Sequence, residues 1–270
     1  MNTVGTRPVT DALAAAERLI ITVRRDPASL ILLVAAPAVL VLIFGYIFGA
    51  AIQLPGAEAG SGSAGYREFL IPGLLVTTAF NIIPSMVSIA RDTDRGIVDR
   101  FRSLPISRSA VPAGQAIATG VYSLAGFGVM MLCGLAVGWR IRDGLMNALA
   151  AVALLVLFQF AMTWVGLYLG LVIGREEAAA QSSILVLPIG MVSNVFVPTT
   201  GMPFWLRFLA DWSPVSAVSA AVRDLFGNPT APTNGAWPLE HPVTASLLWA
   251  AVILAVFVPL CTARYARTGR

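Results

Sequence analysis

The chain has 270 residues, 57% hydrophobic and only 12% charged, with a mean hydropathy of +0.79 and a formal net charge of +4. Soluble domains average about 25% charged residues, so this composition excludes an ordinary soluble protein and gives an integral membrane protein with little else. All 18 Lys and Arg positions are Arg. Without Lys there is neither a Walker A loop nor a Schiff base, and the excess positive charge fits the anionic cytoplasmic leaflet rather than nucleic acid.

In chain order, residues 1–8 are a short polar start. The first apolar run begins near Leu30, too late and too long for a cleavable signal peptide. Residues 10–25 carry Leu13, Ala16, Ile20 and Val23 on one helical stripe with Glu17, Arg18, Arg24 and Arg25 elsewhere, which predicts an amphipathic helix lying on the inner surface. Residues 30–51 hold no charge and form the first expected span. Gly45 and Gly49 offer a small-xxx-small contact. A Gly/Ala-rich loop leads to the second span, 69–90, which contains Pro72, Pro84 and Asn81.

Residues 91–108, RDTDRGIVDRFRSLPISR, are a polar island between two apolar runs. Each Arg would cost roughly 2.5–3.5 kcal/mol at a bilayer centre, so the island lies in water. Ile97, Val98, Phe101 and Leu104 recur at helical spacing, which predicts an amphipathic helix over 94–104, stopped by Pro105. Such a helix either docks into a partner protein or lies on the lipid.

The third span is 111–137, followed by a tight turn at 139–143. The fourth is 145–173, with Gly166, Gly170 and Gly174 on one face. Arg175, Glu176 and Glu177 make a second small polar loop. The fifth apolar run, 182–197, is short. After it, 198–227 is rich in aromatics yet broken by Pro198, Pro203 and Pro214. It also carries Arg207, Asp211, Arg223 and Asp224, a pattern suited to the interface or to a re-entrant excursion. The sixth span is 243–262. Cys133 and Cys261 fall in apolar runs and read as small buried hydrophobes, with no disulfide framework or metal site.

Six spans put both ends on one side. Arg7, Arg18, Arg24, Arg25, Arg91, Arg95, Arg100, Arg102, Arg108, Arg175, Arg264, Arg267 and Arg270, 13 of the 18, lie there. The positive-inside rule makes that side the cytoplasm.

DRGIVDRFRSLPISRSAV, residues 94–111, resembles the first cytoplasmic loop of ABC-2 type transporter permeases, the daunorubicin-resistance branch of drug exporters in particular. SNVFVPTTGMPFWLRFLADWSPVSAVSAAVRDLF, residues 193–226, resembles the same family's C-terminal signature through FVPT, GMP and PVS. The resemblance covers the whole chain as one transmembrane domain, 1–270. It implies an all-α membrane fold: six transmembrane helices, an N-terminal surface helix, a cytoplasmic coupling helix and a re-entrant segment before the last span. It further implies a subunit of an ATP-driven exporter in the bacterial plasma membrane. This chain would bind no cofactor, ATP and Mg being held by a separate cytoplasmic ATPase. Two permease chains and two ATPases would form the working unit, in contact with lipid and with no nucleic acid.

On this resemblance Asp94, Arg95, Gly96, Val98, Arg100, Phe101 and Leu104 couple to the ATPase. Many members carry Glu at Asp94 or just before Gly96, so the acid here is one carbon shorter. Arg95, Arg100 and Arg102 either pair with acids of the ATPase or form a solvated face. Glu176 and Glu177 either make a second contact or cap a cytoplasmic turn. Arg223 and Asp224 either help gate the outer side or form a salt bridge at the interface. His241 reads as solvent-exposed. The second and fifth spans border the central path in such dimers, which nominates Thr77, Phe80, Asn81, Ser85, Ser193, Asn194 and Phe196 as its lining. An apolar lining with scattered hydrogen-bonding groups suits a drug, an antibiotic or a lipid; the alternative for each residue is helix packing alone. Competing functions are a stand-alone secondary transporter, which needs ion-coupling acids at mid-membrane, and a non-transporting membrane scaffold.

Overall fold

The computed structural model describes residues 35, 38–48, 62–96, 110–233 and 235–267, and among these every regular element is helical. Four helical stretches are long and apolar enough to cross a membrane: Gly65–Asp94, Pro112–Ala136, Gly144–Ile173 and Pro242–Tyr265. They correspond to the second, third, fourth and sixth expected spans. The surface helix over 10–25 and most of the span over 30–51 lie outside the described residues.

The first of these stretches is two helices, α1 (Gly62–Phe80) and α2 (Ile83–Asp94). The break has a local cause. Pro84 has no amide hydrogen for Phe80 O, and its ring disfavours the preceding helical turn. The Ile83 amide instead donates to Asn81 Oδ1 at 3.2 Å. Across the joint, Gln159 is 2% exposed. Its side-chain amide, oriented so that O and N face complementary groups, donates to Ala79 O at 2.8 Å and Thr78 O at 3.2 Å. Carbonyls freed by the break are thus satisfied from the neighbouring helix, as buried backbone requires.

That neighbour is α4 (Gly144–Ile173), which follows α3 (Ala110–Ala136). α4 is the central helix, and it stops where Gly174 turns left-handed at φ +68 and its amide meets Gly170 O at 2.8 Å. Gly166 and Gly170 are the groove into which α2 packs. A Cβ on Gly166 would overlap Ser85 Oγ and stand 2.6 Å from Ile82 O. One on Gly170 would overlap Met86 O and Ile89 Cγ2. The glycine face expected from the sequence is therefore a close helix contact.

The fifth expected span, 182–197, is not one helix. It consists of α5 (Glu176–Ser182), a 3-10 turn Ser183–Leu185, α6 (Val186–Met191) and a non-helical stretch over 192–197. Pro188 falls inside it. The hydroxyls of Ser182 and Ser193 bond back to Ala178 O (2.7 Å) and Gly190 O (2.8 Å), the competition with helix that these residues are known for. The segment still travels the length of the molecule. It starts where Ala179 packs with Met86 and Ala90, passes Phe80 at Gly190 and reaches Tyr66 at Phe196.

A short 3-10 turn, Thr199–Gly201, leads to α7 (Phe204–Asp211) and α8 (Pro214–Phe226). α8 is capped by Ser213, whose Oγ accepts from the Val215 amide, begins at Pro214 and ends at Gly227 with φ +67. Of the two placements that the sequence leaves open for this segment, the interface or a re-entrant excursion, α8 does not fit an exposed interfacial one: Val215 to Arg223 are all buried. Its run of Ser and Ala lets it slot between α1, α4 and the last helix. A short helix, α9 (Trp237–Glu240), precedes that last helix, α10 (Pro242–Arg267). Phe69, Leu74, Leu155, Phe158, Val218, Val222 and Ile253 form the shared apolar core of these helices.

α4 spans about 45 Å between the two ends at 1.5 Å per residue, and each end carries its own polar cluster. At one end Arg142 pairs with Glu68, the Arg142 amide donates to Phe226 O (2.9 Å), and Trp139 Nε1 donates to Asn228 Oδ1 (2.7 Å). At the other end stand Arg91, Asp94, Arg95 and Glu176. Tyr265 joins Ile89, Ala116 and Leu171 near that same end.

Candidate functional site

Asp94, Arg95 and Gly96 sit together at the end of α2. Asp94 is the last helical residue, and the Arg95 and Gly96 amides turn back onto Arg91 O (3.0 Å) and Thr93 O (3.1 Å). Gly96 has φ +65, and a Cβ there would meet nothing within 4 Å. Glycine is used for its backbone conformation, not for space. This corrects one expectation: 94–96 close the preceding helix instead of opening the amphipathic one. Val98, Arg100, Phe101 and Leu104 lie outside the described residues.

Glu176 faces this turn. Arg91 Nε donates to Glu176 Oε1 at 2.7 Å and Arg95 Nη2 to Oε2 at 3.5 Å. The Glu176 amide, at the start of α5, donates to Asp94 Oδ2 at 3.4 Å. A carboxylate at a helix N-terminus is favourable. The two polar loops that the sequence presents separately are therefore one cluster, and Arg91, which sequence reasoning did not nominate, is its closest member. Glu177 beside it is exposed.

The nominated path residues divide. Thr77 is half-buried, and its hydroxyl bonds back to Gly73 O at 3.1 Å. Ser85 is 1% exposed, bonded to Ile82 O. Ser193 and Asn194 are buried. Phe80 and Phe196 are half-buried, with Phe196 against Phe44 at a ring separation of 4.7 Å. Asn81 is exposed. An open groove of about 430 Å³ lies elsewhere, lined by Phe204, Arg207, Phe208, Asp211, Trp212, Gly235 and Ala236.

The charge at the heart of the fold is Arg223. It is 0% exposed. Its Nε donates to Phe69 O (2.9 Å), Nη1 to Asn194 Oδ1 (3.3 Å), and Nη2 to Asn194 O (3.1 Å) and Val195 O (2.8 Å). Its guanidinium carbon stands 3.5 Å from the Phe69 ring centroid. It forms no salt bridge with Asp224, which is exposed, so the interfacial pair is corrected to a buried cation held by carbonyls and a ring. The sequence signal for it was a single Arg, with Asp224 beside it, in a helix otherwise made of small and apolar residues.

Residues 10–226 match the family model for ABC-2 type transporters. The chain belongs to the ABC-2 type transporter family. It is 30% identical over 250 residues to a daunorubicin resistance ABC transporter permease protein, DrrB1, of Streptomyces coeruleorubidus, covering 92% of this chain and 83% of that relative. A putative transport permease of Cyanophora paradoxa is 26% identical over 78% of this chain and 72% of its own length. A probable doxorubicin resistance ABC transporter permease protein, DrrC, of Mycobacterium tuberculosis is 26% identical over 64% of this chain and 60% of its own length. The chain is thus a membrane-embedded ABC-2 permease homologue, and its family implies an ABC ATPase as partner in general. The family match ends at Phe226, the last residue of α8, and so takes in both the Glu176 cluster and Arg223.

Proposed function

We propose that this chain is the membrane-spanning permease subunit of an ATP-driven exporter that moves hydrophobic or amphipathic compounds, such as a drug, an antibiotic or a lipid, out of a bacterial cell. The observation that carries the reading is the likeness to a daunorubicin resistance permease over 92% of the chain. The spans support it: Pro112–Ala136 and Gly144–Ile173 contain no ionisable acid, which a proton- or sodium-coupled transporter would need at depth. ATP and Mg belong to a cytoplasmic ABC ATPase, present in two copies with two permease chains. Val98, Arg100, Phe101 and Leu104, which follow Gly96 in the sequence, make the docking contact with that ATPase. Six spans, two of them at 30–51 and along the broken 182–197 segment, put both termini in the cytoplasm. Exposed Ile184, Leu185, Ile189 and Met191 on that segment offer an apolar face to the second permease chain or to lipid.

The test is co-purification. Tagged permease should retain an ABC ATPase from membranes, and Phe101→Asp should release it, because burying one such apolar side chain is worth about 1.5–3 kcal/mol. An unaltered complex with Phe101→Asp rejects the docking role.

A further inference from the structure

Residues 193–196 run without helical structure against α1, so their backbone groups need partners from elsewhere. The Asn194 amide donates to Ser216 Oγ at 2.9 Å. Three consecutive carbonyls are met by two long side chains: Asn194 O and Val195 O by Arg223, and Phe196 O by the Tyr66 hydroxyl at 3.1 Å. α1 also supplies the seat. A Cβ on Gly73 would stand 2.7 Å from Val195 O and 3.0 Å from Arg223 Nη2. Burying a cation without an acid is costly, and α8 could have carried an apolar residue here at less cost. What only Arg provides is a planar fork that reaches three carbonyls and one amide oxygen while its face stacks on Phe69.

We infer that Arg223 is a positioning residue that clamps the unwound 193–196 stretch onto α1 and so fixes Asn194 and Phe196, two residues of the proposed cargo path. The link to cargo rests on the proposed function; the clamp itself does not. Lys, a point charge on a flexible stem, cannot replace the fork. The clamp joins α8 to α1 through the 193–196 stretch, so its geometry sets where the fifth segment's polar and aromatic side chains stand.

Hydrogen exchange on the full-length permease in nanodiscs tests the clamp, with Arg223→Lys, Arg223→Met and Gly73→Ala. In all three, amides of 193–197 should exchange at least about tenfold faster than in the parent, as loss of charge-assisted hydrogen bonds dictates, while α4 is unchanged. Parent-like protection in Arg223→Lys shows that charge alone suffices and overturns the fork. If Arg223→Met does not fold, Gly73→Ala, which keeps the arginine but crowds both Val195 O and Arg223 Nη2, decides: parent-like protection in it overturns the clamp. A second arm measures export of two apolar dyes of different shape. Arg223→Lys and Gly73→Ala should change the ratio of the two rates by about tenfold with the ATPase still bound. Equal loss for both dyes overturns the positioning role. If the parent exports neither dye, the proposed function fails, and the exchange arm still decides the clamp.

Discussion

At Trp139 one ring closes one end of the molecule. Its Nε1 donates to Asn228 Oδ1 at 2.7 Å, its edge meets Phe226 at 5.1 Å, and Asn228 Nδ2 returns to Arg140 O at 3.0 Å. Trp139→Phe keeps most of the packing and leaves the buried Asn228 short of a donor. It should cost about 1–3 kcal/mol, seen as a lower melting midpoint in detergent; an unchanged midpoint would mean that water serves Asn228 equally well. Gly170 is a second such site. Gly170→Val has no room between α2 and α4 and should destabilise by about 1–3 kcal/mol or more, measured in the same melt, whereas Gly128→Ala, where a Cβ meets nothing within 4 Å, should be neutral. The glycine face of α4 was legible because three glycines recur every four residues. Arg223 was legible only as an anomaly. An Arg followed by Asp reads as a surface pair, and nothing in the local pattern announces that three carbonyls from 69, 194 and 195 converge on it.

Among the elements, continuous helices were read within a few residues, because long apolar runs without charges leave the backbone no alternative to helix in a membrane. The fifth segment was harder. Its hydropathy spells a span, while Ser182, Pro188, Ser193 and Asn194 each divert a backbone bond, and the outcome depends on partners more than 20 residues away. The Glu176 cluster ties this segment to α2. Exposed ion pairs are worth only about 0.2–1 kcal/mol each, so with Arg91 at 47% and Glu176 at 30% side-chain exposure its value is geometric, not stabilising. Motion at the end of α2 would pass through Arg91 and Arg95 to α5. Glu176→Gln should therefore leave the melting midpoint and ATPase binding unchanged but reduce cargo-stimulated ATP hydrolysis. The exchange of Arg91→Glu with Glu176→Arg should recover part of it. A swapped pair no better than either single variant would contradict the link.

For the whole molecule, family membership follows from the match over 10–226. What the sequence could not supply is how deeply each nominated residue is buried: Ser85, Ser193 and Asn194 are closed off by packing, whereas Asn81 is exposed. Orientation is tested by single cysteines in a background lacking Cys133 and Cys261. Position 143 should label from outside intact cells and position 177 should not; the reverse pattern would invert the protein. The central claim, ATP-driven outward transport, is tested most directly in inside-out vesicles holding the permease and its ATPase, by following uptake of an apolar polycyclic dye. Uptake should require ATP, persist when the proton gradient is collapsed, and vanish with Phe101→Asp. Uptake that ignores ATP or follows the proton gradient would contradict it.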